Sequence, residues 1–237
     1  MSDAMLSVES LDAWYGQAQI LYGVSLGVSA GECVALVGRN GAGKSTTMKA
    51  IMGLMAKKRG RIAFRGHDIS ALPAYRIGRL GLGWVPEDRR IFTDLTVREN
   101  LAVARQPKRE GQAAWTEERL YALFPNLGAM PDRPGGRMSG GEQQMLTVAR
   151  TLMGNPYLVL LDEPSEGVAP IIVEEMARMI VALKEAGVAI LLSEQNLHFA
   201  QLVSDRAVVL EKGEVKFDGT MEALMSDEML LRTHLSV

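Results

Sequence analysis

A lysine and a serine standing side by side behind three glycines, in Gly38-Arg39-Asn40-Gly41-Ala42-Gly43-Lys44-Ser45-Thr46, are the residue types that hold a phosphate chain and a divalent cation. The spacing satisfies Gly-x-x-x-x-Gly-Lys-Ser in full. The apolar run Cys33-Val34-Ala35-Leu36-Val37 precedes it and residues 47–52, of helical character, follow it, so a strand, a tight loop and a helix start are expected in that order. Glycines in such a loop let successive N–H groups turn inward at phosphate oxygens, and the helix start adds its unpaired N–H groups and the positive end of its dipole. Lys44 is expected to bridge the β- and γ-phosphates of a nucleotide, and the Ser45 hydroxyl to ligand Mg²⁺. A plain glycine turn would need neither side chain.

Two further sets of polar residues follow apolar runs. Tyr157-Leu158-Val159-Leu160-Leu161 ends in Asp162-Glu163-Pro164, and two adjacent carboxylates at the end of a buried strand are unfavourable unless a cation or a polarised water lies beside them. Mg²⁺ answers that need: Asp162 is expected to hold it through water, and Glu163 to orient the attacking water and take its proton. Residues 188–192 form another apolar run that leads into Ser193-Glu194-Gln195-Asn196. A second glycine-rich element, Gly135-Gly136-Arg137-Met138-Ser139-Gly140-Gly141-Glu142, opens a helix, with Ser139 placed as its N-cap or as a phosphate-facing hydroxyl. One nucleotide cannot easily use both anion-binding helix starts of a single chain, so the second is expected to serve a neighbouring subunit.

The elements that must position these residues are also readable. Residues 6–28 alternate in hydropathy and read as antiparallel strands, which puts Trp14 and Tyr15 on opposite faces and makes either a candidate to stack against a nucleotide base. Lys57-Lys58-Arg59-Gly60 reads as a solvated turn before a short strand at residues 61–64, and residues 65–68 as a second turn. Leu82-Gly83-Trp84-Val85-Pro86 reads as a buried strand stopping at the charged string 87–90. Thr96 followed three residues later by Glu99 has the pattern of a capping box, and Thr116 is a candidate cap for a second helix carrying Trp115, Leu120, Leu123 and Phe124. An amphipathic helix at residues 173–185, a hairpin around Lys212-Gly213 and a helix at residues 220–225 complete the chain. The pattern predicts an α/β fold: a P-loop NTPase core with a mostly parallel sheet, an N-terminal antiparallel β subdomain and an inserted α-helical subdomain. We assign residues 1–237 to a single domain, with 1–86 and 140–237 as core plus β subdomain and 87–139 as the helical insertion.

Composition bounds the rest. At 237 residues and 47% hydrophobic content the chain can bury a sizeable core, and 26 basic against 28 acidic residues give a net charge of -2, which speaks against a nucleic-acid partner. The single Cys33 excludes a disulfide framework and fits a reducing compartment. His67, His198 and His234 do not cluster with it, so no structural zinc is expected. Residues 1–7 have neither a basic region nor a sustained apolar stretch, arguing against a secretory signal, and no apolar run approaches the roughly 18 residues of a membrane span. Membrane association would come through a partner.

Taken together, these residues resemble the ATP-binding subunit of an ABC transporter over almost the full chain. Residues 38–45 match its Walker A motif, Met138-Ser139-Gly140-Gly141-Glu142 its signature, and residues 158–163 its Walker B motif with the catalytic glutamate. The signature separates this family from other P-loop NTPases. The chain is most similar to the smaller ATPase of branched-chain amino-acid importers, through Val85-Pro86-Glu87-Asp88-Arg89-Arg90-Ile91-Phe92, Asp162-Glu163-Pro164-Ser165-Glu166-Gly167 and Ser193-Glu194-Gln195-Asn196. The resemblance implies ATP with Mg²⁺, sandwiched between residues 38–46 of one subunit and Ser139, Gly140, Gly141 and Glu142 of another, with Tyr15 stacking adenine. It also implies two membrane permease subunits, an indirect substrate-binding protein and a peripheral place on the cytoplasmic face of the inner membrane. Importers of urea, amides or aromatic acids share these features; soluble ABC ATPases usually fuse two halves or carry long coiled-coil insertions.

Three positions depart from the family pattern. Glu87 stands in place of a glutamine that contacts Mg²⁺ and water, and a carboxylate can still ligand magnesium. Gln195 stands in place of the switch histidine at the γ-phosphate and cannot carry its proton. Ser165-Glu166-Gly167-Val168 lacks the usual aspartate. These departures lead us to expect a heterodimer with a second, different ATPase, a homodimer forming in isolation.

Overall fold

The computed structural model describes residues 4–235, so the reading of residues 1–3 lies outside it. In chain order the elements are β1 (Leu6–Tyr15), β2 (Ala18–Val28), β3 (Cys33–Val37), α1 (Lys44–Ile51), β4 (Lys57–Phe64), β5 (His67–Asp68), α2 (Ala74–Leu80) and β6 (Leu82–Val85). Three helices follow, α3 (Val97–Ala104), α4 (Glu117–Leu123) and α5 (Pro125–Gly128), before the long α6 (Gly140–Met153). The chain then alternates through β7 (Leu158–Asp162), α7 (Pro170–Glu185), β8 (Ala189–Glu194) and α8 (Leu197–Val203), and closes with β9 (Arg206–Glu211), β10 (Glu214–Thr220), α9 (Met221–Ser226) and α10 (Glu228–Leu230).

Two sheets result. The first is antiparallel in the order β2-β1-β4-β5; the second has six strands in the order β10-β9-β3-β8-β7-β6, parallel throughout except for the β9-β10 hairpin. Strands buried on both faces need continuous apolar sequence, and β3 and β7 supply it in Cys-Val-Ala-Leu-Val and Leu-Val-Leu-Leu. Alternation divides β7 between two cores: Leu158 and Leu160 pack with Met48 and Ile51 of α1, whereas Val159 and Leu161 pack with Leu146 and Leu152 of α6. Each fully buried Leu or Val of this kind contributes about 1.5–3 kcal/mol. The register aligns the strand ends, since Val37 pairs with Glu194, Asp162 with Ser193 and Val85 with Leu161. Every loop leaving a carboxyl end of β3, β6, β7 or β8 therefore emerges along one edge, where open α/β sheets bind ligands.

Several elements differ from their sequence reading. Lys57-Lys58-Arg59-Gly60 is the first half of β4 and not a turn, because Lys57, Lys58 and Arg59 pair across β1 with Trp14, Ala13 and Asp12. Gly60 serves a close approach there: a Cβ would lie 2.5 Å from the Ser10 carbonyl oxygen, at a bulge where Ser10 itself has φ 48°. Trp115 lies outside α4, buried, its N–H donating to Asn155 Oδ1 at 2.7 Å. Strand β8 runs two residues further than expected and includes Ser193 and Glu194. Helix α2 had no periodic signal strong enough to announce it. Thr96 and Thr116 cap α3 and α4 as expected, the first with a complete capping box closed by Glu99. No helix among the described residues is long and apolar enough to cross a membrane.

Candidate functional site

A cleft of about 440 Å³ opens at the aligned strand ends. The loop between β3 and α1 forms its floor, and Gly38 and Gly43 show why glycine is needed. A Cβ at Gly38 would lie 2.3 Å from the Leu210 carbonyl oxygen of β9, and Gly43 takes φ 111° to cap α1 without a side-chain hydrogen bond. The N–H groups of Lys44, Ser45 and Thr46 are consequently left without intrahelical acceptors at the cleft, an anion-binding helix start. Asn40, Gly41, Gly43, Lys44, Ser45 and Thr46 line the cleft from this side. Gly38 and Arg39 do not line the cleft, but their carbonyl oxygens accept from Lys44 Nζ at 2.7 and 3.3 Å; Arg39 and Ala42 border a second cavity of about 190 Å³ with Lys212 and His234.

The opposite wall is acidic. Glu163 follows β7 with φ 49°, a left-handed conformation held by its N–H donating to the Ser193 carbonyl at 3.0 Å, and this turns its side chain off the sheet toward Lys44. Lys44 Nζ and Glu163 Oε1 form an ion pair at 3.1 Å with both side chains buried. The cation demanded by the adjacent carboxylates is thus supplied within the chain by Lys44. Asp162 is buried next to it, and burial raises its acid pKa while the Ser45 hydroxyl, donating to Asp162 Oδ1 at 3.0 Å, works against that rise. Glu87, at the end of β6, also lines the cleft. So does Glu166, one turn beyond Glu163, whose N–H donates to the Glu163 carbonyl at 3.2 Å. Hydrogen bonding to the Glu163 carboxyl, with its charge, lifts Glu166 to about 6.

Ser45, Asp162 and Glu87 fit Mg²⁺. Among the described residues no three His, Cys, Asp or Glu side chains cluster as a resident metal site. Magnesium keeps several waters and takes one or two carboxylates plus substrate phosphates, and a hydroxyl beside a buried carboxylate at a phosphate loop is that donor set.

Tyr15 and Trp14 separate as alternation requires. Tyr15 is half exposed on the cleft with Ile20, whereas Trp14 lies on the other face beneath Lys57, whose Nζ is 4.8 Å from the ring centroid. Cys33 is buried within β3, which pushes its thiol up to about 12 and leaves it unreactive.

The ABC transporter family model matches residues 21–166, which hold the phosphate loop, the glycine-rich element and both strand-end carboxylates. The chain belongs to the ABC transporter ATP-binding family. It is 40% identical over 98% of its length to the high-affinity branched-chain amino acid transport ATP-binding protein BraG of Pseudomonas aeruginosa, covering 99% of that protein. It is also 35% identical to the lipopolysaccharide export system ATP-binding protein LptB of Haemophilus influenzae, over 98% of this chain and 97% of that one. The crystal structure of the ADP conformation of MJ1267, an ATP-binding cassette of an ABC transporter, superposes with a TM-score of 0.81 at 26% identity, over 97% of each chain. The resemblance drawn from the motifs and the α/β fold with its antiparallel sheet are thereby borne out, and the ABC ATPase binds and hydrolyses ATP.

The ABC signature lies apart from this cleft. Ser139 caps α6, accepting from the Glu142 N–H at 3.3 Å while Glu142 Oε2 accepts from the Ser139 N–H at 2.6 Å. A Cβ at Gly140 would lie 2.7 Å from Arg89 Nη1 and one at Gly141 2.8 Å from Ile172 Cγ1, and none of Ser139, Gly140, Gly141 and Glu142 lines the cleft. Gln195 is exposed and does not line it either. Its neighbour Glu194 is the buried one, accepting from the N–H groups of Ser165 at 3.1 Å and Asn196 at 3.3 Å, and burial pushes it up to about 7. Glu166, which lines the cleft, and Glu194, buried behind it, are not singled out by the sequence. Their signal was present only as carboxylates beside the strand ends, Glu166 three residues past Glu163 and Glu194 at the end of β8.

Proposed function

We propose that this ABC ATPase energises import of branched-chain or related amino acids, working peripherally at the cytoplasmic face of the inner membrane. Its partners in this reading are a second ATPase subunit, two membrane permease subunits and, through them, a substrate-binding protein. The likeness to BraG over nearly the whole of both chains carries the substrate class. The likeness to LptB favours a second reading, ATP supply to an exporter.

The cleft supports a mechanism for the ATPase. Tyr15 stacks the adenine, and the phosphate chain lies on the N–H groups at the start of α1. Lys44 moves from Glu163 to the β- and γ-phosphates, which frees the carboxylate. Glu163 then accepts a proton from water as the water oxygen attacks the γ-phosphorus in line; the bond from that phosphorus to the bridging oxygen breaks, giving ADP and inorganic phosphate. Ser45, Asp162 and Glu87 would hold Mg²⁺, which neutralises charge on the phosphate oxygens.

A dimer completes the site in this reading, because the signature residues sit outside their own chain's cleft and the Ser139 hydroxyl, an acceptor within its cap, keeps its proton to donate to a partner's nucleotide. Gln195 and Glu87 support a partner ATPase of different sequence. Residues 87–139 form the insertion whose surface receives the permeases. Uptake tests both readings: loss of the chain should lower accumulation of labelled leucine, isoleucine or valine, and restoring it should recover them. Unchanged uptake beside an envelope-lipid export defect favours the exporter instead.

A further inference from the structure

The charges around the nucleotide cleft do not balance toward an anion. Among the described residues lining it, Lys44 is the single cation, and it faces the carboxylates of Glu87, Glu163 and Glu166. Nor is Lys44 uncommitted, for an ammonium has three donors and its Nζ meets Gly38 O at 2.7 Å, Arg39 O at 3.3 Å and Glu163 Oε1 at 3.1 Å. A polyphosphate entering the cleft competes with Glu163 for Lys44 and does so beside two more negative groups. Glu87 and Glu163 have roles in the mechanism; Glu166, exposed at the rim one turn past Glu163, has none so far.

We propose that Glu166 is a specificity-determining residue of this cleft: with Glu87 and Glu163 it makes the cleft reject a bare polyphosphate and admit one that already carries a divalent cation. Coulomb repulsion between a carboxylate and a nearby triphosphate is substantial where water is partly excluded, and it falls when a bound divalent cation cancels two of the phosphate charges. Glu166 therefore widens the gap between metal-loaded and metal-free nucleotide, so that hydrolysable substrate is taken in preference to unloaded ATP. The inference rests on the nucleotide reading of the cleft.

Calorimetric titration of the purified full-length chain with ATP tests it, at pH 8 and low ionic strength, once with excess EDTA and once with excess Mg²⁺. In Glu166→Gln the metal-free Kd should fall roughly tenfold and the Mg²⁺-loaded Kd by less than about twofold. Glu166→Asp should behave as the unaltered chain, and Glu174→Gln, an exposed charge on α7 outside the cleft, should move neither value. Equal changes under the two conditions, or none, in Glu166→Gln overturn the proposal while leaving the nucleotide reading intact. Failure of the unaltered chain to bind Mg²⁺-ATP overturns both.

Discussion

Lys44 and Glu163, 119 positions apart in sequence, meet at 3.1 Å in a buried ion pair that joins the start of α1 to the end of β7. A charge left behind in such a place costs far more than the pair itself contributes. Lys44→Ala should therefore lower the unfolding free energy by about 3 kcal/mol as well as abolish nucleotide binding. Adding Glu163→Gln to Lys44→Ala should recover most of that stability and none of the binding, as measured by urea unfolding. Additive losses would show that the two side chains stabilise the fold independently.

The two adjacent aromatics of β1 should separate cleanly in mutagenesis. In the proposed mechanism Tyr15, on the cleft, stacks the adenine for about 1 kcal/mol, so Tyr15→Ala should raise KM for ATP roughly fivefold at unchanged kcat and unchanged stability. Trp14→Ala removes a ring beneath Lys57 and Arg59, so it should lower the melting temperature and leave KM alone. An increase in KM from Trp14→Ala with none from Tyr15→Ala would place the base on the wrong face.

Glu194 makes stability depend on pH in a stated direction. Its acid pKa in the fold is about 7, raised by burial above the ordinary glutamate value, so the folded chain holds that proton more tightly than the unfolded one. The contribution is fully present below the ordinary range, lost as pH climbs toward 7, and constant above that. Glu194→Gln removes the dependence. Its stability relative to the unaltered chain should improve between about pH 4.5 and 7.5 by on the order of 3 kcal/mol, on top of a pH-independent loss because one of the two backbone N–H partners loses its acceptor. A gap between the two melting temperatures that does not vary over this range would contradict it.

The site was legible where chemistry demands a fixed local pattern. Lys44 and Ser45 behind glycines, Asp162-Glu163 after four apolar residues, and Ser139 three before Glu142 are each set by contacts within a few residues or by one strand end. Glu194, Glu166 and the first half of β4 were not legible because long-range neighbours decide them. Lys57-Lys58-Arg59-Gly60 carries the composition of a turn, but the pairing offered by β1 overrides it, and Gly60 answers a bulge fifty residues earlier. Glu194 and Gln195 are adjacent, yet only the register of β8 against β3, which seats Glu194 opposite Val37, decides which is buried. Gln195 takes its expected role from its place in a motif, yet in the fold it stands outside the cleft that Glu163 faces.

In the proposed mechanism Glu163, once released by Lys44, is the base for ATP hydrolysis. Glu163→Gln keeps the side chain's shape and removes its charge and basicity, so turnover of Mg²⁺-ATP and ATP binding, measured on the same preparation, separate the base from the binding site. The expected result is turnover slowed roughly a hundredfold or more, with ATP bound at least as tightly as before because Lys44 no longer has a carboxylate to leave. Turnover within a fewfold of the unaltered chain would contradict it.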